Sequence, residues 1–292
     1  MNMSNKTAKN SHPEFLSSVQ VAEMLGVNVS TVKRWTDENK LGCAKTAGGH
    51  RKFTLSHVLD FVRRKEVQLP TLQSEEDVRL GYHIVREELD PLRAAVIESA
   101  LSGSRDNVQR VLYAMHFANF PLHRIYDEVI TPVLHELGLR WQRGDSSVID
   151  THISTQTIRD SIIRLQGLVP AVRRKSGRSL LLNLSTELHD LALKMVDHLL
   201  DQRGFENLFS GQITPLFGIE SAFERFRPDR VYISTTVVQQ PAEDEKELTA
   251  ISELARRYNS KIYIGGQGLD RLDLTRFPQM KRLHTFEEVT RL

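Results

Sequence analysis

One cysteine, Cys43, stands among 292 residues. A disulfide framework within the chain is therefore excluded, and a thiolate metal centre would lack its ligands. A lone thiol suits a reducing compartment, so a cytoplasmic protein is expected. Long hydrophobic runs are also missing. No apolar stretch approaches the roughly 18 residues of a membrane span, and the polar opening Met1–His12 has no apolar core of the kind a secretion signal needs. Residues 1–13 read as a disordered arm, and no membrane partner is expected. Nucleotide chemistry is poorly represented: no Gly-x-Gly-x-x-Gly follows a candidate strand, and there is no phosphate-binding loop, catalytic triad or metalloprotease motif. The expectation is a protein that is not an enzyme. Net charge is only +2, but it is unevenly spread, because the first 70 residues hold 11 Lys and Arg against 6 Asp and Glu. A basic head on a near-neutral body is the footprint of nucleic-acid binding.

The head is expected over residues 14–64. Ser17 to Gly26 opens on a serine cap and closes on glycine, the pattern of one short helix. A second helix follows, with Ser30 as its predicted N-cap. Val32 and Trp35 lie three apart and point inward, leaving Thr31, Lys33, Arg34 and Thr36 largely outward. Two short helices around a glycine turn form a helix-turn-helix, whose second helix enters the major groove of double-stranded DNA. Lys45 to Phe53 then sets a glycine pair, Gly48-Gly49, between polar arms and reads as a β-hairpin wing with a basic edge of His50, Arg51 and Lys52. Thr54 caps a third helix with Leu55, Val58, Leu59 and Val62 on one face. The candidate DNA-contacting residues are Ser30, Thr31, Lys33, Arg34, His50, Arg51 and Lys52. As a whole this stretch resembles the winged helix-turn-helix heads of the MerR and excisionase families, and Gly48-Gly49-His50-Arg51-Lys52-Phe53 is similar to the wing motif of both.

Residues 65–77, with Pro70 and no sustained period, read as a linker, and residues 78–170 as a four-helix bundle. Its helices are predicted over Leu92–Leu101, Arg105–Ala118 after the cap Ser104, Pro121–Gln142 and Val148–Leu168. Trp141 near the end of one helix and His152 near the start of the next stand out. Trp141 reads either as a core aromatic at the bundle end or as a platform for a ligand; His152 reads as a satisfied interior polar group or a metal ligand.

From residue 178 onward the pattern changes to alternating strands and helices, which implies a doubly wound parallel sheet of the Rossmann-like, flavodoxin-like kind. Strands are expected at Leu180–Leu184, Glu206–Phe209, Arg230–Ser234, Lys261–Ile264 and near Arg282–His284. His189 then falls at the turn between the first strand and its helix, on the rim where open α/β sheets bind ligands. Gly211 and Gln212 share that rim. The polar stretch Val237–Glu245, with Pro241, reads as a lid or an oligomer contact.

Glu187-x-His189-x-x-Ala192, then Ser234-Thr235-Thr236, then Gly265-Gly266 resembles the cobalamin-binding pattern Asp-x-His-x-x-Gly, Ser-x-Leu, Gly-Gly. The resemblance implies that His189 is the lower axial ligand to cobalt, that Glu187 orients its ring, and that Ser234, Gly265 and Gly266 line the slot for the nucleotide tail. Ala192 adds a methyl where the family has glycine, and Thr236 replaces the leucine. The order of head, bundle and α/β domain is similar to MerR-type light-sensing repressors of the CarH and LitR type. Their bundle carries Trp-His and a later Glu-His pair over the cofactor's upper face; Trp141 and His152 match, while Gln142 and Thr151 depart from that pattern. The resemblance implies adenosylcobalamin as cofactor, a homo-oligomer (dimer or tetramer) on an operator, light control, and an antirepressor protein as a further partner. The alternatives are a regulator of the same architecture that holds haem, a bilin or no cofactor, and a corrinoid carrier module of a methyltransferase or mutase.

Overall fold

A computed structural model describes residues 15–64, 74–168, 172 and 176–292. The arm at 1–13 and most of the 65–77 linker lie outside the described residues. Two compact units are distinguished: one runs to Ala95 and includes Phe117–Asn119, and the other comprises Val96–His116 and Phe120–Leu292.

The first unit opens with β1 (Leu16–Ser17), α1 (Ser18–Leu25), α2 (Val29–Asp37), β2 (Ala44–Lys45), β3 (Arg51–Phe53) and α3 (Leu55–Arg63). Ser17 caps α1 through a reciprocal box with Gln20, and Gly26 stops it in the left-handed conformation at φ 64°. Helix α2 starts earlier than the sequence suggested. Asn28 occupies the cap position, so Ser30 lies within the first turn and is exposed. Thr36 is also not outward: it is buried, and its hydroxyl donates to Lys33 O at 2.7 Å, a bond that the helix backbone supplies to a short β-branched side chain. The antiparallel order β1-β3-β2 makes the wing, with Lys45 opposite Arg51. Val21, Leu25, Val32, Trp35, Phe53, Val58 and Phe61 fill the core, and the Trp35 and Phe61 rings lie 4.9 Å apart.

Helix α4 (Glu75–Val85), capped by Ser74, packs against α1 and α3 and places Val78 in the same core. Gly81 permits this, since a methyl there would lie 2.9 Å from Met24 Cγ. The stretch read as the start of the bundle thus contributes its first helix to the head.

Next come α5 (Leu89–Leu101), α6 (Arg105–Phe117), α7 (Leu122–Arg124), a π-helical turn over Ile125–Ile130, α8 (Thr131–Arg143) and α9 (Val148–Gln166). Buried Val108, Leu112, Met115, Val129, Val133, Ile158, Ile162 and Leu165 supply the apolar interior. Pro121 begins the expected long helix, but the π turn interrupts it, and consecutive Tyr126 and Asp127 both serve contacts to the sheet layer described next.

That layer comprises β4 (Gly177–Asn183), α10 (Leu191–Gln202), β5 (Phe205–Phe209), α11 (Leu216–Phe226), β6 (Arg230–Ser234), α12 (Pro241–Arg257), β7 (Lys261–Gly265), β8 (Met280–Leu283) and α13 (Phe286–Thr290). All five strands are parallel in the order β5-β4-β6-β7-β8. Leu180, Leu182, Val231, Ile233, Ile262 and Ile264 share a core with Phe223 of α11 and Leu248 and Ile251 of α12. Alternation turns the other residues of these strands toward α10 and α13. Pro241 is the first residue of α12, so the polar stretch after β6 is shorter than expected and its second half is a helix turn. The strand order reverses between β4 and β6, and the crevice at such a switch point is where ligands bind in folds of this type.

Candidate functional site

The turn between β4 and α10 is pinned before it reaches His189. Ser185 N donates to Glu247 Oε2 at 2.8 Å and Thr186 Oγ1 to Asp244 Oδ1 at 3.2 Å, both carboxylates belonging to α12. Glu187 is then drawn inside, 1% exposed. Its Oε2 accepts from the amides of Thr236 and Val237 at 2.5 and 2.9 Å. Its Oε1 accepts from His189 N at 2.7 Å and meets His189 Nδ1 at 2.6 Å. Burial pushes the Glu187 carboxyl upward, but the hydrogen bonds from the His189 ring, Val237, the His189 amide and Thr236 outweigh it and hold the group below its ordinary value. The bond to Glu187 in turn raises the His189 pKa against the opposing effect of burial. With Nδ1 committed to a carboxylate, Nε2 of the half-exposed ring is the nitrogen left open to a ligand or to solvent, an arrangement that metal-bound histidines share.

Ser234, at the end of β6, stands in register between Asn183 of β4 and Gly265 of β7. Its hydroxyl is buried without a hydrogen-bond partner, as are Asn183 Oδ1 and Thr235 Oγ1. A methyl on Gly265 would touch Leu283 O, at 3.4 Å, without a clash. Gly266 has a different task. At φ 110° it passes so close to the Thr235 backbone that a methyl would lie 2.2 Å from Thr235 O, so this glycine is required by the protein's own chain.

The structure brings Glu187, His189, Ser234, Gly265 and Gly266 to one rim. Gly211 and Gln212 belong to the neighbouring β5–α11 loop, in which Ile213 N donates to Glu187 O at 3.1 Å. Ile213 has φ 50°, unusual for a β-branched residue, and is exposed. Sequence reading missed Ile213 and the two α12 carboxylates, because neither backbone strain nor a long-range hydrogen bond has a local sequence signal. Ala192 lies partly buried in the first turn of α10.

Trp141 is 50% exposed in the last turn of α8, and His152 is exposed in the second turn of α9. The readings as a core aromatic and an interior polar group therefore fail. Gln142 is exposed as well, and Thr151 spends its hydroxyl locally on Ser147 O. Val148, Ile149 and Ile153 add exposed apolar surface to this stretch, and Leu188, Ile213 and Val237 do the same around His189.

In the head, Lys33 and Arg34 of α2 are exposed and Thr31 half-buried, while His50 is exposed at the tip of the wing. Lys52 is half-buried on β3. Arg51 is turned away from the tip: its Nη2 donates to Asp37 Oδ1 at 2.5 Å, tying the wing to the end of α2.

A helix-turn-helix domain model matches residues 15–66, and a B12 binding domain model matches residues 92–166. The HTH-type transcriptional repressor CarH of Myxococcus xanthus is 25% identical over 264 residues, covering 84% of this chain and 86% of the relative. The chain resembles a CarH-type transcription regulator. Among solved structures, the monomethylamine corrinoid protein of Methanosarcina barkeri is similar with a TM-score of 0.52 at 13% identity, covering 70% of this chain and 96% of that one. At that identity the likeness concerns the fold: helices followed by a parallel sheet. The CarH-like order adds to this fold the winged head, which the described residues 15–64 form. Among the described residues no helix is long and apolar enough to cross a membrane.

Proposed function

We propose that this chain is a cytoplasmic DNA-binding transcription regulator, a repressor, whose hold on its operator is controlled by a cobalamin at His189. The observation that carries the reading is the Glu187–His189 pair: an outward imidazole, fixed by a buried carboxylate at a sheet switch point, in a chain that begins with a winged helix-turn-helix. The residues fit the group. Nε2 of His189 is available, and the buried Ser234 and Thr235 hydroxyls lack partners, so both could receive polar groups of a bound molecule, with Gly265 beside them at the end of β7. When bound, cobalamin would supply a cobalt centre, and His189 would be the residue that holds it. Trp141 and His152 serve as upper-face residues in this reading, with Trp141 offering an aromatic surface and His152 an imidazole. The adenosyl form and light control belong to the proposal through the CarH-type order, with Gln142 and Thr151 altering the upper-side setting.

The domain division proposed is a head at 14–64 extended by α4, a helical cap, and a cofactor layer from 178. In the head, Lys33, Arg34, His50 and Lys52 meet DNA, Thr31 and Ser30 flank the contact, and Arg51 braces the wing. Several tethered heads on adjacent half-sites gain avidity through effective concentration, so a dimer or tetramer is the binding form, and an antirepressor would compete for the same basic face. An enzyme or corrinoid carrier would have no use for that head. Incubation of dark-purified protein with adenosylcobalamin should give a retained corrinoid whose spectrum is that of a histidine-ligated cobalt, and His189→Ala should abolish that spectrum. Elution of free corrinoid from protein that still binds DNA would instead point to haem, a bilin or cofactor-free control.

A further inference from the structure

Asp190, the residue after His189, sits at the N-cap of α10 but does not cap it: no bond runs from its side chain to the first helical amides. This is unusual for an aspartate in that position, whose carboxylate ordinarily accepts from the second or third amide. Instead the carboxylate, 3% exposed, turns to the helical layer, and its Oδ1 accepts from Arg159 Nη1 of α9 at 2.7 Å. Its Oδ2 is buried without a partner. Meanwhile His189 O accepts from Asn183 Nδ2 at 3.4 Å. The ligand residue is thus held from both sides, by Glu187 two positions before it and Asp190 one after it. Only the second hold comes from another layer.

We propose that Arg159 is a positioning residue for His189: it keeps Asp190 off the α10 cap, and losing it lets the carboxylate swing back to the helix amides and rotates the His189–Asp190 peptide. Arg159 lies seven residues after His152, two turns along the same face of α9, so the pair links the segment bearing the upper-face candidate to the residue beside the lower one. A movement of α9 is thereby felt at His189. The role at cobalt rests on the cofactor reading above; the hold on the loop does not.

The test uses the full chain with Arg159→Gln, Arg159→Lys and Tyr126→Phe. Tyr126 bonds to His198 of α10 and joins the same two layers away from the His189 turn, so its variant reports on docking alone. In cofactor-free protein, amide exchange over residues 187–191 should quicken about tenfold in R159Q, return toward wild type in R159K and stay unchanged in Y126F. With adenosylcobalamin in the dark, R159Q should lower the ratio of histidine-ligated to unligated corrinoid about tenfold, again with recovery in R159K. Equal exchange in R159Q and wild type, or an equal rise in R159Q and Y126F, would overturn the proposal. Retention of the exchange effect without any corrinoid uptake would support the hold on the loop while removing the cofactor reading.

Discussion

Two histidines with opposite environments show how burial and partnership decide a residue's use. His189 has a carboxylate on one ring nitrogen and solvent on the other side, so its basicity is increased. His198 is fully buried in α10, bonded through Nδ1 to the Tyr126 hydroxyl, and its Nε2 has no partner. Burial lowers its pKa to about 4, against the opposing pull of Asp197 and with help from the charges of His116 and Lys194. A histidine whose folded pKa lies below its unfolded value stays neutral in the fold, while the unfolded chain takes a proton from about pH 6.5 downward. Stability is therefore intact above that pH and is lost as pH falls toward 4. The displacement corresponds to roughly 3 kcal/mol at most. His198→Gln should flatten the fall in urea-unfolding free energy across this window relative to wild type; an unchanged pH profile would mean that His198 is solvated.

At the scale of elements, turns carry constraints that side-chain patterns do not reveal. Gly266 and Gly211 both have positive φ, at 110° and 83°, but a methyl at the first would strike the Thr235 carbonyl whereas the second faces open space. Gly211→Ala should cost only the left-handed penalty, about 1–2 kcal/mol. Gly266→Ala should cost more: about 1–3 kcal/mol because φ 110° with ψ 152° is open essentially only to glycine, plus about 1–3 kcal/mol of overpacking, and it should loosen the Ser234–Thr235 rim. Chemical denaturation of the two variants separates them, and equal losses would argue against the close approach. The same distinction explains what could be read in advance. The strands at Arg230–Ser234 and Lys261–Ile264, the helix capped by Thr54 and the helix from Val148 announce themselves by apolar period, with cap chemistry added at Thr54, all local properties. The position of His189 on the rim follows from a strand-to-helix boundary. Asn28 replacing Ser30 at the cap of α2, the burial of Thr36, the π turn at Ile125–Ile130 and the Arg159–Asp190 pair do not follow, because each is settled by tertiary contact or by a choice among equivalent local bonds.

For the whole molecule, the proposed assembly predicts that several heads grip DNA at once, and salt can count them. Each phosphate neutralised by a Lys or Arg adds about 0.9 to the magnitude of the slope of log K against log salt. Lys33 is exposed on α2 with a side chain suited to phosphate contact. In a complex with one head bound, Lys33→Ala should therefore reduce that slope by about 1 unit. In an assembly with two or four heads engaged, the same substitution removes one contact from every head, and the reduction should be about 2 or 4 units. Operator titrations at several salt concentrations, with and without adenosylcobalamin in darkness, would show the cofactor's effect directly. A larger Lys33 increment in the loaded protein means that cobalamin recruits heads to the operator. The same increment in both states, near 1, would mean that heads act singly and that control passes through the head's own affinity rather than through assembly. Avidity makes the first outcome the expected one, since a small winged head buries little surface by itself and tethering multiplies its hold without any new contact to bases.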